Sequence, residues 1–126
     1  MQRSKLTYLC TILGLAIVLS GTAFAGLKGT YNVVTTASSF SGSLGSARNS
    51  ADAIQYIGCR DQQTVAYCYA RDAVGVSKSC TTTNPTHLAM IRGWTDSTYV
   101  RINFNTAGTC TNILQSAFSQ LEPKKP

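Results

Sequence analysis

The chain has 126 residues, a formal net charge of +6, and charged side chains at 13% of its positions. Arg3 and Lys5 lie close to the N-terminus, and without them nine Lys or Arg stand against five Asp or Glu. The nine basic residues are scattered along the chain, whereas nucleic-acid-binding proteins concentrate theirs in a patch or stripe. The composition therefore argues against a nucleic-acid partner.

Residues 1–25 have the three parts of a cleavable secretory signal peptide. Two basic residues precede an apolar stretch from Leu6 to Leu19, and Ala23–Ala25 supplies the small side chains of a cleavage site. This stretch of about 14 residues is shorter than the roughly 20 that a transmembrane helix needs. We therefore predict cleavage after Ala25 and no membrane span in the mature protein. The mature chain, residues 26–126, is expected to be one secreted or periplasmic domain.

The first half of this domain alternates between extended segments and turn signals. β-branched and aromatic residues predict a strand at residues 30–36. The Ser- and Gly-rich residues 38–50 are predicted to be a flexible loop, since they contain few large apolar side chains. Extended segments are then predicted at 51–59, 64–70 and 76–82, joined by short polar turns.

The second half begins with a change of hydrophobic period. Asn84-Pro85 predicts the start of one short helix over residues 85–92, because Asn is a good cap and Pro suits the first helical position. Tyr99–Phe104 alternates apolar and polar residues and is predicted to be a strand with Val100, Ile102 and Phe104 facing the core.

Cys110–Leu114 is predicted to be the partner of that strand, and the Pro-rich tail at residues 120–126 is predicted to be frayed. The whole pattern comprises about six short strands and one short helix. It predicts a mainly β fold, a small antiparallel β-sandwich or barrel.

Four cysteines remain in the mature domain and predict two disulfides that staple the fold, as expected for an exported protein: Cys59, Cys68, Cys80 and Cys110. Cys68 and Cys80 lie symmetrically about a turn, where opposed hairpin positions can satisfy disulfide geometry. We therefore favour Cys68–Cys80 with Cys59–Cys110, and keep Cys59–Cys68 with Cys80–Cys110 as the alternative. No Cys-x-x-Cys is present, so neither a metal site nor a cofactor is expected.

Catalytic patterns are weak in this sequence. His87 is the only histidine, and a small hydrolase that uses it as a general base is the least favoured function. Most of the acidic residues lie in turn-like positions, where local hydrogen bonding accounts for them without catalysis. We expect a protein that is not an enzyme.

The segment after the predicted helix is the best candidate for a binding site. Arg and Trp are frequent anchors of protein interfaces, and Tyr99 and Arg101 are predicted to point outward from the next strand. The candidate binding residues are Arg92, Trp94, Asp96, Tyr99 and Arg101.

Two function classes follow from size, export and the lack of a catalytic pattern. The favoured one is a non-enzymatic binding protein, such as an inhibitor or immunity-type module, whose partner is another protein or an envelope component. The alternative is an envelope or surface protein that self-associates through an unpaired strand edge.

Overall fold

The computed structural model describes residues 26–126, so the predicted signal peptide lies outside the described residues. Within that part of the chain, short strands and two helices surround one hydrophobic core. In chain order the elements are β1 (Val34–Thr35), β2 (Ser39–Ser43), α1 (Leu44–Asn49), β3 (Tyr56–Asp61), β4 (Ala66–Arg71), β5 (Ser77–Thr82), α2 (Pro85–Arg92), β6 (Tyr99–Phe104) and β7 (Cys110–Ser116). The fold class is mainly β, as predicted, with two antiparallel sheets.

The larger sheet has the strand order β1-β2-β6-β7. Alternation along β6 is as predicted, because Val100 and Ile102 are completely buried while Arg101 between them is exposed. Phe40 of β2 lies directly opposite Ile102 and is also fully buried. Phe104 is only partly buried and contacts the ring of Phe40 at a centroid distance of 5.8 Å. One face of this sheet therefore forms the core and the other faces outward.

The smaller sheet is a hairpin series with the order β3-β4-β5. Ala66, Cys68 and Ala70 of the middle strand are completely buried, so β4 presents small side chains to the core. The turn between β4 and β5 lies where it was predicted. Gly75 adopts a φ of +91°, a conformation that glycine tolerates best, and its N–H donates to the Asp72 carbonyl.

Helix α2 has the predicted bounds and the predicted cap. The Asn84 side chain accepts a hydrogen bond of 2.8 Å from the Thr86 N–H, and Pro85 occupies the first turn. Leu88 and Ile91 point into the core. Among residues 26–126, no helix has both the length and the apolarity needed to cross a membrane.

The prediction of a flexible loop at residues 38–50 is wrong, because β2 and α1 occupy this segment. The small side chains of this segment allow neighbouring backbone segments to pack closely, and they do not make it a mobile loop. A Cβ on Gly42 would lie 3.1 Å from the Cα of Val33, and Ser43 is fully buried. Ser43 also caps α1, since its hydroxyl accepts a hydrogen bond from the Ser46 N–H. Because α1 lies in this segment, the described residues contain two helices, whereas one was predicted.

Part of the tail that was predicted to be frayed, residues 120–126, is held against the rest of the fold. Leu121 is 6% exposed and forms a bridge with Gly29, so this part of the tail is held by the segment that precedes β1. Asn49 of α1 donates to the Pro123 carbonyl and accepts from the Lys125 N–H. These hydrogen bonds hold the polar tail along α1.

The disulfides are Cys59–Cys68 and Cys80–Cys110, so the favoured pairing is wrong and the alternative is correct. The predicted hairpin register is nevertheless right, since Cys68 lies directly opposite Cys80. Because β4 is the middle strand, Cys68 also lies directly opposite Cys59 on β3. The position of Cys68 and Cys80 about one turn therefore does not determine which of the two neighbouring strands provides the disulfide partner of Cys68.

The Cys80–Cys110 bond joins the two sheets. The Thr81 N–H donates to the Gly108 carbonyl at 2.9 Å, which brings β5 beside the start of β7. Cys80 and Cys110 are both buried, with 4% and 3% of their surfaces exposed, respectively. Two disulfides indicate an oxidising, non-cytoplasmic compartment.

Candidate functional site

Arg92, the first of the predicted binding residues, holds the end of α2 against the β3–β4 turn. Its guanidinium donates to both carboxylate oxygens of Asp61 and to the Gln63 carbonyl, the last at 2.6 Å. The hydrogen bond with Arg92 lowers the pKa of Asp61, and the same bond raises the pKa of Arg92. Arg92 is therefore engaged within the fold.

Trp94 and Asp96 lie in the connection between α2 and β6. Trp94 is half-buried against the core, and its Nε1 is buried without a hydrogen-bond partner among the described residues. Asp96 is exposed and forms an ion pair of 3.3 Å with Lys124 of the tail. The tryptophan thus contributes chiefly to packing, and the aspartate contacts the C-terminal tail.

Tyr99 and Arg101 share the outward face of the larger sheet. The Tyr99 ring packs edge-on against Tyr31 with a centroid distance of 5.6 Å. Arg101 is exposed, and within residues 26–126 it has no ion-pair partner. Since α2 packs on the core side of this sheet, Arg92 and Arg101 lie on opposite sides of it. The five residues do not form one continuous patch.

His87 lies in the first turns of α2 and is 8% exposed. Its Nδ1 is 2.9 Å from the hydroxyl of Thr82, which is 2% exposed. A general base must reach the substrate, and this imidazole is turned into the fold. The geometry fits a core histidine satisfied by a neighbouring hydroxyl.

The carboxylates of the described residues have internal partners as well. Asp72 accepts from the Thr35 hydroxyl at 2.6 Å and from two N–H groups of its own turn, and these bonds lower its pKa. Hydrogen bonds from Gln55 and from the Ile54 N–H lower the pKa of Asp52 to about 2. Glu122 pairs with Lys125. No group of three or more His, Cys, Asp or Glu side chains suited to a metal ion occurs within residues 26–126.

β7 carries the feature that sequence reasoning missed. It is an edge strand of the larger sheet, since only β6 pairs with it. In the described part of the chain, no residue outside β6 forms a hydrogen bond with the backbone of Thr111–Ser116. Half of the backbone donors and acceptors of this strand therefore point to solvent.

The other strand edges are shorter or carry charge. β1 has two residues, β3 contains Arg60 and Asp61, and β5 contains Lys78. β7 has seven residues and contains neither a charged residue nor a proline. Those are two common means of blocking an edge against strand addition, so β7 is the edge with the least protection of this kind in the described fold.

A row of side chains crosses the outward face beside this edge. Val34, Ser41, Arg101 and Leu114 are consecutive cross-strand partners from β1 to β7. Val34 is 56% exposed and Leu114 is 47% exposed. Arg101 of the predicted site is thus next to the open edge, where it belongs to a different surface from the one predicted.

No protein-family model, curated protein or solved structure matches this chain.

Proposed function

We propose that this chain is a small, non-enzymatic binding protein that is secreted or periplasmic, and that it binds another protein through the open edge of β7. The partner contributes an extended segment that adds a strand to the larger sheet. The proposal rests on Thr111–Ser116, whose outer backbone groups have no hydrogen-bond partner in the described fold and whose side chains carry no charge.

Strand addition supplies affinity through the backbone. The unpaired stretch Thr111–Ser116 offers about three outward-facing residues, each contributing an N–H and a carbonyl. Each new hydrogen bond contributes about 1 kcal/mol net, and contacts with Leu114 add apolar burial. The Cys80–Cys110 bond fixes the first residue of β7, so little ordering of the strand is required when a partner binds.

Side chains at the edge determine which segment fits. Arg101 lies beside Leu114 on the outward face and has no ion-pair partner within residues 26–126. A partner strand with an acidic residue near Arg101 and an apolar residue near Leu114 is therefore preferred.

Two observations support a role other than catalysis. His87 is buried against Thr82, and the described side-chain carboxylates are engaged in turns or ion pairs. The predicted signal peptide and the two disulfides support secretion or a periplasmic location.

The proposal is tested by capture from the native extracytoplasmic fraction, followed by hydrogen exchange on the purified complex. The expected result is slower exchange of the amides of residues 111–116 in the complex than in the free protein. Slower exchange confined to another surface, with β7 unchanged, would place the binding site elsewhere.

Self-association is the second candidate, and the lack of charge on β7 favours it. Two copies of this strand can pair antiparallel without placing like charges opposite each other. Sedimentation of the purified mature protein over a range of concentrations separates the two candidates. A dimer that Leu114→Lys abolishes supports self-association, whereas a strict monomer leaves the partner-binding proposal as the one to pursue.

A further inference from the structure

A cleft of about 580 Å³ lies between α1 and the first residues of β3. Its deep part is apolar, because Ala47 and Ile57 are buried and Leu44 packs against the core beside them. The Tyr56 side chain, 46% exposed, lies at the opening. A volume of this size falls within the range of small-molecule sites.

Two cations line the same cleft from different parts of the chain. Arg48 is exposed in the last turn of α1, and within residues 26–126 it has no ion-pair partner. Lys124 reaches the cleft from the C-terminal tail, which α1 holds in place. Its only ion pair in the described residues is with the exposed Asp96, and exposed pairs of this kind are weak.

No described carboxylate lines the cleft. The acidic residue nearest to Arg48 in the sequence, Asp52, is bound within its own loop by Ser50 and Gln55, two residues that line the cleft. It accepts hydrogen bonds from the Gln55 amide at 2.6 Å, from the Ile54 and Gln55 N–H groups, and from Ser50. Arg48 forms no ion pair with Asp52 or with any other carboxylate of residues 26–126, so its guanidinium is available to an anion in the cleft.

We propose that this cleft binds a small organic anion, with its carboxylate or phosphate between Arg48 and Lys124 and its apolar body against Leu44, Ala47 and Ile57. Arg48 offers a bidentate donor pair to the anion, and Lys124 exchanges its weak pair with Asp96 for the ligand. This site is separate from the β7 edge, so the failure of one proposal leaves the other standing.

Benzoate and its neutral counterpart benzamide are suitable probes, because the two molecules differ in charge but hardly in shape. We expect benzoate to produce saturable NMR shifts of the amides of residues 47–57, with a Kd on the order of 1 mM. Benzamide and inorganic phosphate should bind at least about fivefold more weakly, since one lacks the charge and the other lacks the apolar body.

Substitutions of Arg48 and of Asp96 should change the affinity for benzoate in opposite directions. Arg48→Gln should weaken benzoate binding about fivefold, and Arg48→Lys should retain part of the affinity. Asp96→Asn should strengthen binding by about twofold, because it releases Lys124. The matched controls are Arg60→Gln and Glu122→Gln, which make the same charge changes outside the cleft lining and should leave the Kd within about 1.5-fold.

The proposal is overturned if benzoate causes no saturable shifts around the cleft, or if phosphate binds as tightly as benzoate. Equal weakening by Arg48→Gln and Arg60→Gln would also overturn it, since only the net charge of the protein would then matter. Amide spectra of each free variant establish that the fold is retained.

Discussion

Gly45 illustrates at the residue scale how small side chains support close packing in this protein. It is buried in α1, and a Cβ at this position would overlap the carbonyl oxygen of Glu122. Gly42 similarly lies against the backbone of Val33. Ser and Gly content alone predicts a mobile loop, because it does not reveal which backbone segments approach each other.

Gly45→Ala tests this packing. Alanine is favoured over glycine within a helix by about 1 kcal/mol, but here the new methyl group must displace the tail. We expect a lower melting temperature and faster hydrogen exchange of the Lys125 N–H, which normally donates to Asn49.

Gly58→Ala is the control for that experiment, since a Cβ at Gly58 meets nothing within 4 Å. It should leave exchange in the tail unchanged. A Gly45→Ala protein that melts higher than the wild type, with a protected tail, would show that the tail does not pack as described.

Asp52 is held in its ionised form by hydrogen bonds within its own loop. Its pKa falls from 3.8 to about 2 through hydrogen bonds from Gln55 and Ile54, so the folded state favours the ionised form. A depressed folded-state pKa contributes stability above the unfolded-state pKa, and that contribution is lost as the pH falls toward the folded-state value.

Between about pH 4 and pH 2, the melting temperature of the wild type should therefore fall more steeply than that of Asp52→Asn. Thermal unfolding followed by circular dichroism measures both slopes. Parallel curves over this interval would mean that Asp52 is not stabilised by its loop.

At the scale of elements, local patterns predicted several boundaries well. The bounds of α2 and β6 were predicted, because an Asn-Pro cap and a strict alternation depend on neighbouring residues alone. The β4–β5 register was also predicted, but the disulfide of Cys68 was not, since it depends on which strand lies on the other side of β4. The open edge of β7 depends on strand order in the same way.

The two disulfides should contribute unequally to stability. They close separations of 9 and 30 residues, for which the chain-entropy model gives about 2.5 and about 3.5 kcal/mol. The double variant Cys80→Ala/Cys110→Ala should therefore lose more stability than Cys59→Ala/Cys68→Ala in urea unfolding. A reversed order would indicate that tying the two sheets together matters less than fixing the β3–β4 pair.

At the scale of the whole molecule, acidic and basic side chains differ in how many of them have partners within the fold. The side-chain carboxylates of residues 26–126 all form hydrogen bonds or ion pairs, whereas Arg48 and Arg101 are among the basic residues that form no ion pair there. Each of these arginines lies beside exposed or cavity-lining apolar surface. The molecule therefore presents two separate places where a partner with negative charge fits.

A comparison of two lysine variants tests whether the partner binds at the open β7 edge. Leu114→Lys adds a charge at the open edge, whereas Val34→Lys adds the same charge to the same face at the opposite, two-residue edge. The Kd for the captured partner should rise about tenfold or more with Leu114→Lys and stay within about twofold with Val34→Lys. An equal effect of both substitutions, or none of either, would contradict binding at β7.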